Sequence, residues 1–138
     1  MSLPPRLALD AGPLIALYHA ADPDHTEAVR GFSRLAENKS WLLVPLSVVL
    51  EVYKWLLYEG GPDKARLALG KMREALEIVP LSLADLEALQ TLTDALPGWK
   101  GTLEDANVAL LGLRLGIPVW TLNYRDLGVF GRLEFWTG

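Results

Sequence analysis

Apolar residues along this chain fall into two patterns: short unbroken runs, and longer stretches in which they recur every three or four positions. The unbroken runs are Arg6–Leu9, Trp41–Val44 and Ile117–Thr121, with a weaker one at Ile78–Leu81 and a fifth candidate at Leu133–Trp136. Short aliphatic runs bounded by turn or cap residues suit strands buried on both faces. Between them, helical spacing predicts helices over Ala11–Ala20, Asp24–Asn38, Ser47–Glu59, Pro62–Glu77, Ser82–Leu96 and Thr102–Leu115. Their ends carry signals. Pro13 and Pro62 sit in opening turns, Asp24 with Glu27 and Ser82 with Asp85 read as caps, and Gly60–Gly61 and Gly116 read as stops.

Strands separated by helices imply parallel neighbours with helices on both faces of the sheet. The chain therefore reads as an α/β fold, a single domain over residues 1–138, with no repeat, linker or low-complexity segment.

Composition narrows the chemistry. Hydrophobic residues make up 51% and charged residues 22%, as in a folded soluble protein rather than a disordered one. No apolar run approaches the roughly 20 residues of a membrane span, and the N-terminus lacks the pattern of a secretion signal, so a cytoplasmic location is expected. With no cysteine and two histidines, disulfides, thiolate sites and imidazole-rich zinc sites drop out. Any metal would be held by oxygen, which favours Mg²⁺ or Mn²⁺. The formal net charge of −4 argues against a broad basic surface for nucleic acid, but carboxylates gathered around a metal would give the same sign.

In open parallel sheets, sites form beyond the carboxyl ends of the strands. Asp10 ends the first run, Glu51 follows the second, and Asn123 and Asp126 follow Ile117–Thr121; Asp105 opens the helix before that strand. Each has a plainer reading. Asp10 suits an N-cap, and Asp105 suits a capping box with Thr102. Asn123 and Asp126 suit a polar turn. Glu51 is harder to explain away, because Val48–Leu57 is apolar nearly all round and predicts a buried helix. A buried carboxylate needs a cation or must stay protonated; Lys54, three residues on, is one candidate cation and a metal ion is the better one. Asp85 reads as a cap. Asp22, Asp24 and His25 read as turn and cap residues, and the five tryptophans as core or interface. Lys54, Lys100, Arg114 and Arg125 could meet phosphates, with a solvated surface as their default.

Taken together, three segments resemble the PIN-domain family, especially toxin nucleases of VapBC-type toxin–antitoxin pairs. They are LDAGPLIAL (Leu9–Leu17), PLSVVLEV (Pro45–Val52) and LEDANVALLGLRLGIPVWTLNYRDL (Leu103–Leu127), in the family's order and covering nearly the whole chain. The resemblance implies a three-layer α/β/α domain with a short, mainly parallel central sheet and catalytic acids at Asp10, Glu51 and Asp105. It gives Asn123 and Asp126 a shared ligand or water-positioning role, with Asp126 the preferred acid, and makes Thr121 an orienting hydroxyl for a neighbouring carboxylate. It also implies an endoribonuclease using Mg²⁺ or Mn²⁺, an RNA substrate, a small antitoxin partner and a homodimer. Gly12-Pro13 stands where the family often has Ser or Thr, and Leu127 where an aromatic is commoner. The rivals are a catalytically weak PIN-like module that binds RNA or a partner, and a phospho-accepting receiver domain. The receiver expects an acidic pair after the first strand and a late lysine, neither of which is present.

Overall fold

The computed structural model describes residues 2–138. Four strands, β1 (Arg6–Leu9), β2 (Trp41–Pro45), β3 (Glu77–Val79) and β4 (Val119–Trp120), form one sheet in the order β3-β2-β1-β4. All three pairings are parallel, with Leu7 opposite Leu42, Ala8 opposite Val119 and Val44 opposite Ile78. The helices are α1 (Ala11–Tyr18), α2 (His25–Glu37), α3 (Leu46–Gly60), α4 (Pro62–Ala75), α5 (Leu83–Asp94), α6 (Leu103–Leu115) and α7 (Tyr124–Leu127). Right-handed crossovers place α1–α4 on one face of the sheet and α5–α6 on the other. This is the expected three-layer arrangement, and a receiver-type 2-1-3-4-5 strand order is not present among the described residues. Leu7, Ala8 and Leu9 are fully buried, as the continuous apolar run of a central strand requires.

Several expectations need correction. The run Ile117–Thr121 yields a strand of two residues, because the Ile117 amide turns back to the Gly112 carbonyl and Pro118 has no amide to give. The third strand is Glu77–Val79 rather than Ile78–Leu81, with Pro80 following its end. Leu133–Trp136 contributes a single parallel bridge, Phe135 to Val119, instead of a strand. The Asp24–Glu27 box does not form. Asp22 accepts the Asp24 amide at 2.8 Å, and Glu27 pairs with Arg30 on the surface.

Helix α3 is not buried all round. It packs on β2, α1, α4 and α6, but Leu50 is 62% exposed and Tyr58 78%, because no further layer covers its outer side. The short helix α7 falls in a stretch read from sequence as a turn; Asn123 caps it by accepting the Asp126 amide.

Candidate active site

The carboxyl ends of β1 and β4 lie side by side, and the chain leaves β1 toward α1 while α6 approaches β4 from the opposite face. That divergence opens a crevice. A cavity of about 410 Å³ occupies it, lined by Asp10, Glu51, Asp105, Asn123 and Asp126, with Lys100 and Arg125 at its rim. The fold thus brings to one place every acid singled out from the sequence.

Asp10 is 3% exposed and stands at the N-cap position of α1, yet its side chain makes no capping hydrogen bond. Instead Oδ2 accepts the Thr121 hydroxyl at 2.6 Å. Oδ1 is buried with no hydrogen-bonding partner. Burial pushes the Asp10 carboxyl above its ordinary range; Thr121 and the Ala11 amide pull it back, and the charge of Asp105 raises it further. The hydroxyl that holds Asp10 thus comes from Thr121, the residue that follows β4.

From Thr121 the hydrogen bonds continue. Its Oγ1 accepts the Asn123 amide at 2.9 Å, and the Asn123 side chain donates to Asp126 Oδ2 at 3.0 Å. The Asn123 amide group holds the Asp126 carboxyl below its ordinary range, helped by Arg125 at 3.4 Å. Asn123 and Asp126 thus form one unit, with the amide holding the acid ionised.

Asp105 forms the capping box its spacing suggested. Its Oδ2 accepts the Thr102 amide at 3.0 Å, and its own amide donates to the Thr102 hydroxyl at 3.1 Å. It lines the cavity at the same time, so the two roles coexist. Glu51, half-buried on α3, has no hydrogen bond or ion pair among the described residues, and Lys54 does not engage it. Burial and the charges of Asp10, Glu104 and Asp105 push its carboxyl up to about 7.

Two residues of the site were not singled out from sequence. Asn107, 8% exposed, donates to Ser47 Oγ at 2.7 Å and ties α6 to the first turn of α3, fixing the helices that carry Asp105 and Glu51. An asparagine among Ala106, Val108 and Ala109 was the available signal, since a buried amide must find a partner. Glu104, in the first turn of α6, raises Glu51 and shares a smaller recess with Ser47, Leu50 and Lys54. Arg114 is occupied elsewhere, paired with the cap residue Asp85.

The donors fit a hard divalent cation in kind: all are oxygens, their charges repel one another, and one buried oxygen is unpartnered. As placed, no three acidic or histidine side chains among the described residues converge into a ready ligand set.

No family model matches this chain, and no curated protein does either. Solved structures do. The chain is similar to VapC20 of Mycobacterium tuberculosis, a toxin that cleaves the sarcin–ricin loop, with a TM-score of 0.78 at 17% identity, covering 91% of this chain and 95% of that one. It is similar to a chain of VapBC2 from Rickettsia felis bound to a promoter DNA fragment, with a TM-score of 0.74 at 15% identity over 96% and 99% of the two chains. A toxin–antitoxin complex from Klebsiella pneumoniae gives 0.62 at 18% identity over 92% and 94%. At these identities the likeness establishes the fold, which is the PIN-like fold of VapC proteins.

Proposed function

We propose that this protein is a metal-dependent endoribonuclease and the toxin of a type II toxin–antitoxin pair. The observation that carries the reading is the buried, unpartnered Oδ1 of Asp10, a residue that lines one cavity with Glu51, Asp105 and Asp126. A buried carboxylate oxygen left without a donor or a cation costs on the order of 1–3 kcal/mol, and more when the carboxylate is charged. Mutual repulsion at Glu51 points the same way.

In this reading Asp10 and Asp105 hold the principal Mg²⁺ or Mn²⁺. Glu51 contributes through water or to a second ion, and Asn123 with Asp126 completes the site. Thr121 keeps Asp10 turned toward the cavity, and Asn123 keeps Asp126 ionised. Glu51, with its raised carboxyl, is suited to exchange a proton near neutrality. When bound, the ion supplies positive charge for the phosphate and an activated water.

The toxin assignment rests on the shared fold together with two of the similar structures being toxin–antitoxin assemblies. A small antitoxin and a homodimer follow as proposed partners. A cytoplasmic location is consistent with the absence, among the described residues, of any helix long and apolar enough to cross a membrane.

The test is cleavage of mixed single-stranded RNA by the purified protein, with Mg²⁺ or Mn²⁺ against EDTA, alongside Glu51→Gln. Cutting that needs both metal and Glu51 is expected. A folded, partner-free protein that cuts nothing would favour the binding module, the reading that the capping role of Asp105 best accommodates.

A further inference from the structure

Beside the acidic cavity lies a second, open recess of about 580 Å³, formed by residues 95–100 between α5 and α6 together with Arg125, Asp126 and Val129. The two recesses share Lys100, Arg125 and Asp126, so they are neighbouring compartments of one surface. Their chemistry differs. The acidic cavity is lined by carboxylates, whereas Leu96, Pro97, Trp99 and Val129 give the second an apolar wall. The two cations stand where the compartments meet.

The wall is held in place. Gly98, in the loop that lines the recess, has φ +87, a conformation that side chains rarely adopt. The Trp99 indole N–H donates to the Asp126 carbonyl at 2.9 Å, and its ring meets Phe130 edge-on at 5.6 Å between centroids. A Cβ on Gly101 would lie 2.1 Å from the indole, so the ring packs directly on that backbone. Trp99 is thereby coupled to the segment that carries Asp126. The Arg125 side chain is 87% exposed, with its guanidinium 3.4 Å from Asp126, so it is not committed to that pair.

We propose that this recess is a nucleoside subsite for single-stranded RNA, receiving the nucleotide next to the scissile phosphate. The base lies against Leu96, Pro97 and Trp99, and the adjoining phosphate sits between Lys100 and Arg125. An unstacked nucleotide offers what the recess accepts, a flat apolar face joined to an anion, one link from a phosphate over the acids. The proposal rests on the nuclease reading and adds to it the contact that takes up the neighbouring base, whichever base it is.

The test uses the full chain and a short single-stranded RNA of mixed sequence, plus the same RNA with an abasic ribose at each position in turn. Binding is measured with Ca²⁺ in place of Mg²⁺, and the Trp99 indole N–H is followed by NMR; cleavage is measured separately with Mg²⁺. RNA is expected to shift the Trp99 signal, and Val129→Trp, which fills the recess, to weaken binding about tenfold. One abasic position should weaken the wild type by a similar factor and leave Val129→Trp unaffected. In cleavage, Val129→Trp should raise KM with the metal requirement intact. Arg125→Gln, at an exposed side chain, gives an independent loss of binding should the larger substitution disturb folding. An undisturbed indole signal, with Val129→Trp binding as wild type, overturns the subsite; if the RNA is still cut with metal, the nuclease reading survives without it. A wild type that neither binds nor cuts RNA overturns both.

Discussion

The Thr121 hydroxyl donates to Asp10 Oδ2 at 2.6 Å, joining residues 111 positions apart at the ends of two neighbouring strands. The other oxygen of Asp10 is buried with no hydrogen-bonding partner, and the residue lines the acidic cavity. One buried hydroxyl thus holds one oxygen of the central acid and favours its ionised form against the larger effect of burial.

Removing that hydroxyl tests the relationship. Thr121→Val, nearly isosteric, should destabilise the fold by about 1.5–3 kcal/mol, the range for a hydrogen bond to a charged group. It should also raise the Asp10 carboxyl further, so that activity appears at higher pH. Thr121→Ser should restore both. Urea titration and a pH–rate profile provide the check, and an unchanged profile for Thr121→Val would remove Thr121 from the site.

Asp10→Asn should separate stability from function. It removes a carboxylate that burial and Asp105 disfavour, so the metal-free protein should melt at a higher temperature than wild type. Activity should fall by at least about a hundredfold, the upper range for losing a group that merely supports a ligand. Mn²⁺ affinity, followed by calorimetry, should fall with it.

The metal-free protein should lose stability as pH rises from about 4.5 to about 7. Glu51 ionises near 4.5 when unfolded and near 7 when folded, so the folded state holds the extra proton across that window. The contribution is complete below the lower value and is lost through the upper one; Asp10, also raised, acts in the same direction. Melting temperature against pH in EDTA measures this, and Glu51→Gln should flatten the curve. Mg²⁺ should bind more tightly as pH rises through the same window, because it competes with the proton. A wild-type melting temperature that climbs over this range contradicts the assignment.

Gly31→Ala probes packing away from the chemistry. Its Cβ would lie 2.5 Å from the Trp120 ring, which is wedged between Phe32 and Trp136. The expected cost is about 1–3 kcal/mol from overpacking between α2 and β4. Chemical denaturation should show this loss, with the metal requirement for cleavage unchanged.

Much of this protein is written locally. Apolar runs, caps and glycine stops identify β1, β2 and the first six helices, because hydrophobic period and end chemistry are properties of neighbouring residues. Asp10 and Asp126 could be proposed from their places after strands and Glu51 from its apolar helix, and the Ser82–Asp85 and Thr102–Asp105 boxes form as their spacing implies. Sequence could not decide what depends on distant partners. The exposed side of α3 reflects a layer that is missing, and apolar content alone cannot reveal that. The shortening of β4 depends on where the Ile117 amide finds its acceptor. Local spacing left Asp10 between cap and ligand; tertiary structure gave it Thr121 on one oxygen and nothing on the other. The same packing tied Asn107 to Ser47, set Glu104 near Glu51 and placed Trp99 beside Asp126. Residue types fix which groups can hold an ion or a phosphate. Burial and long-range hydrogen bonds decide which are left unsatisfied, because desolvation depends on everything packed around a group.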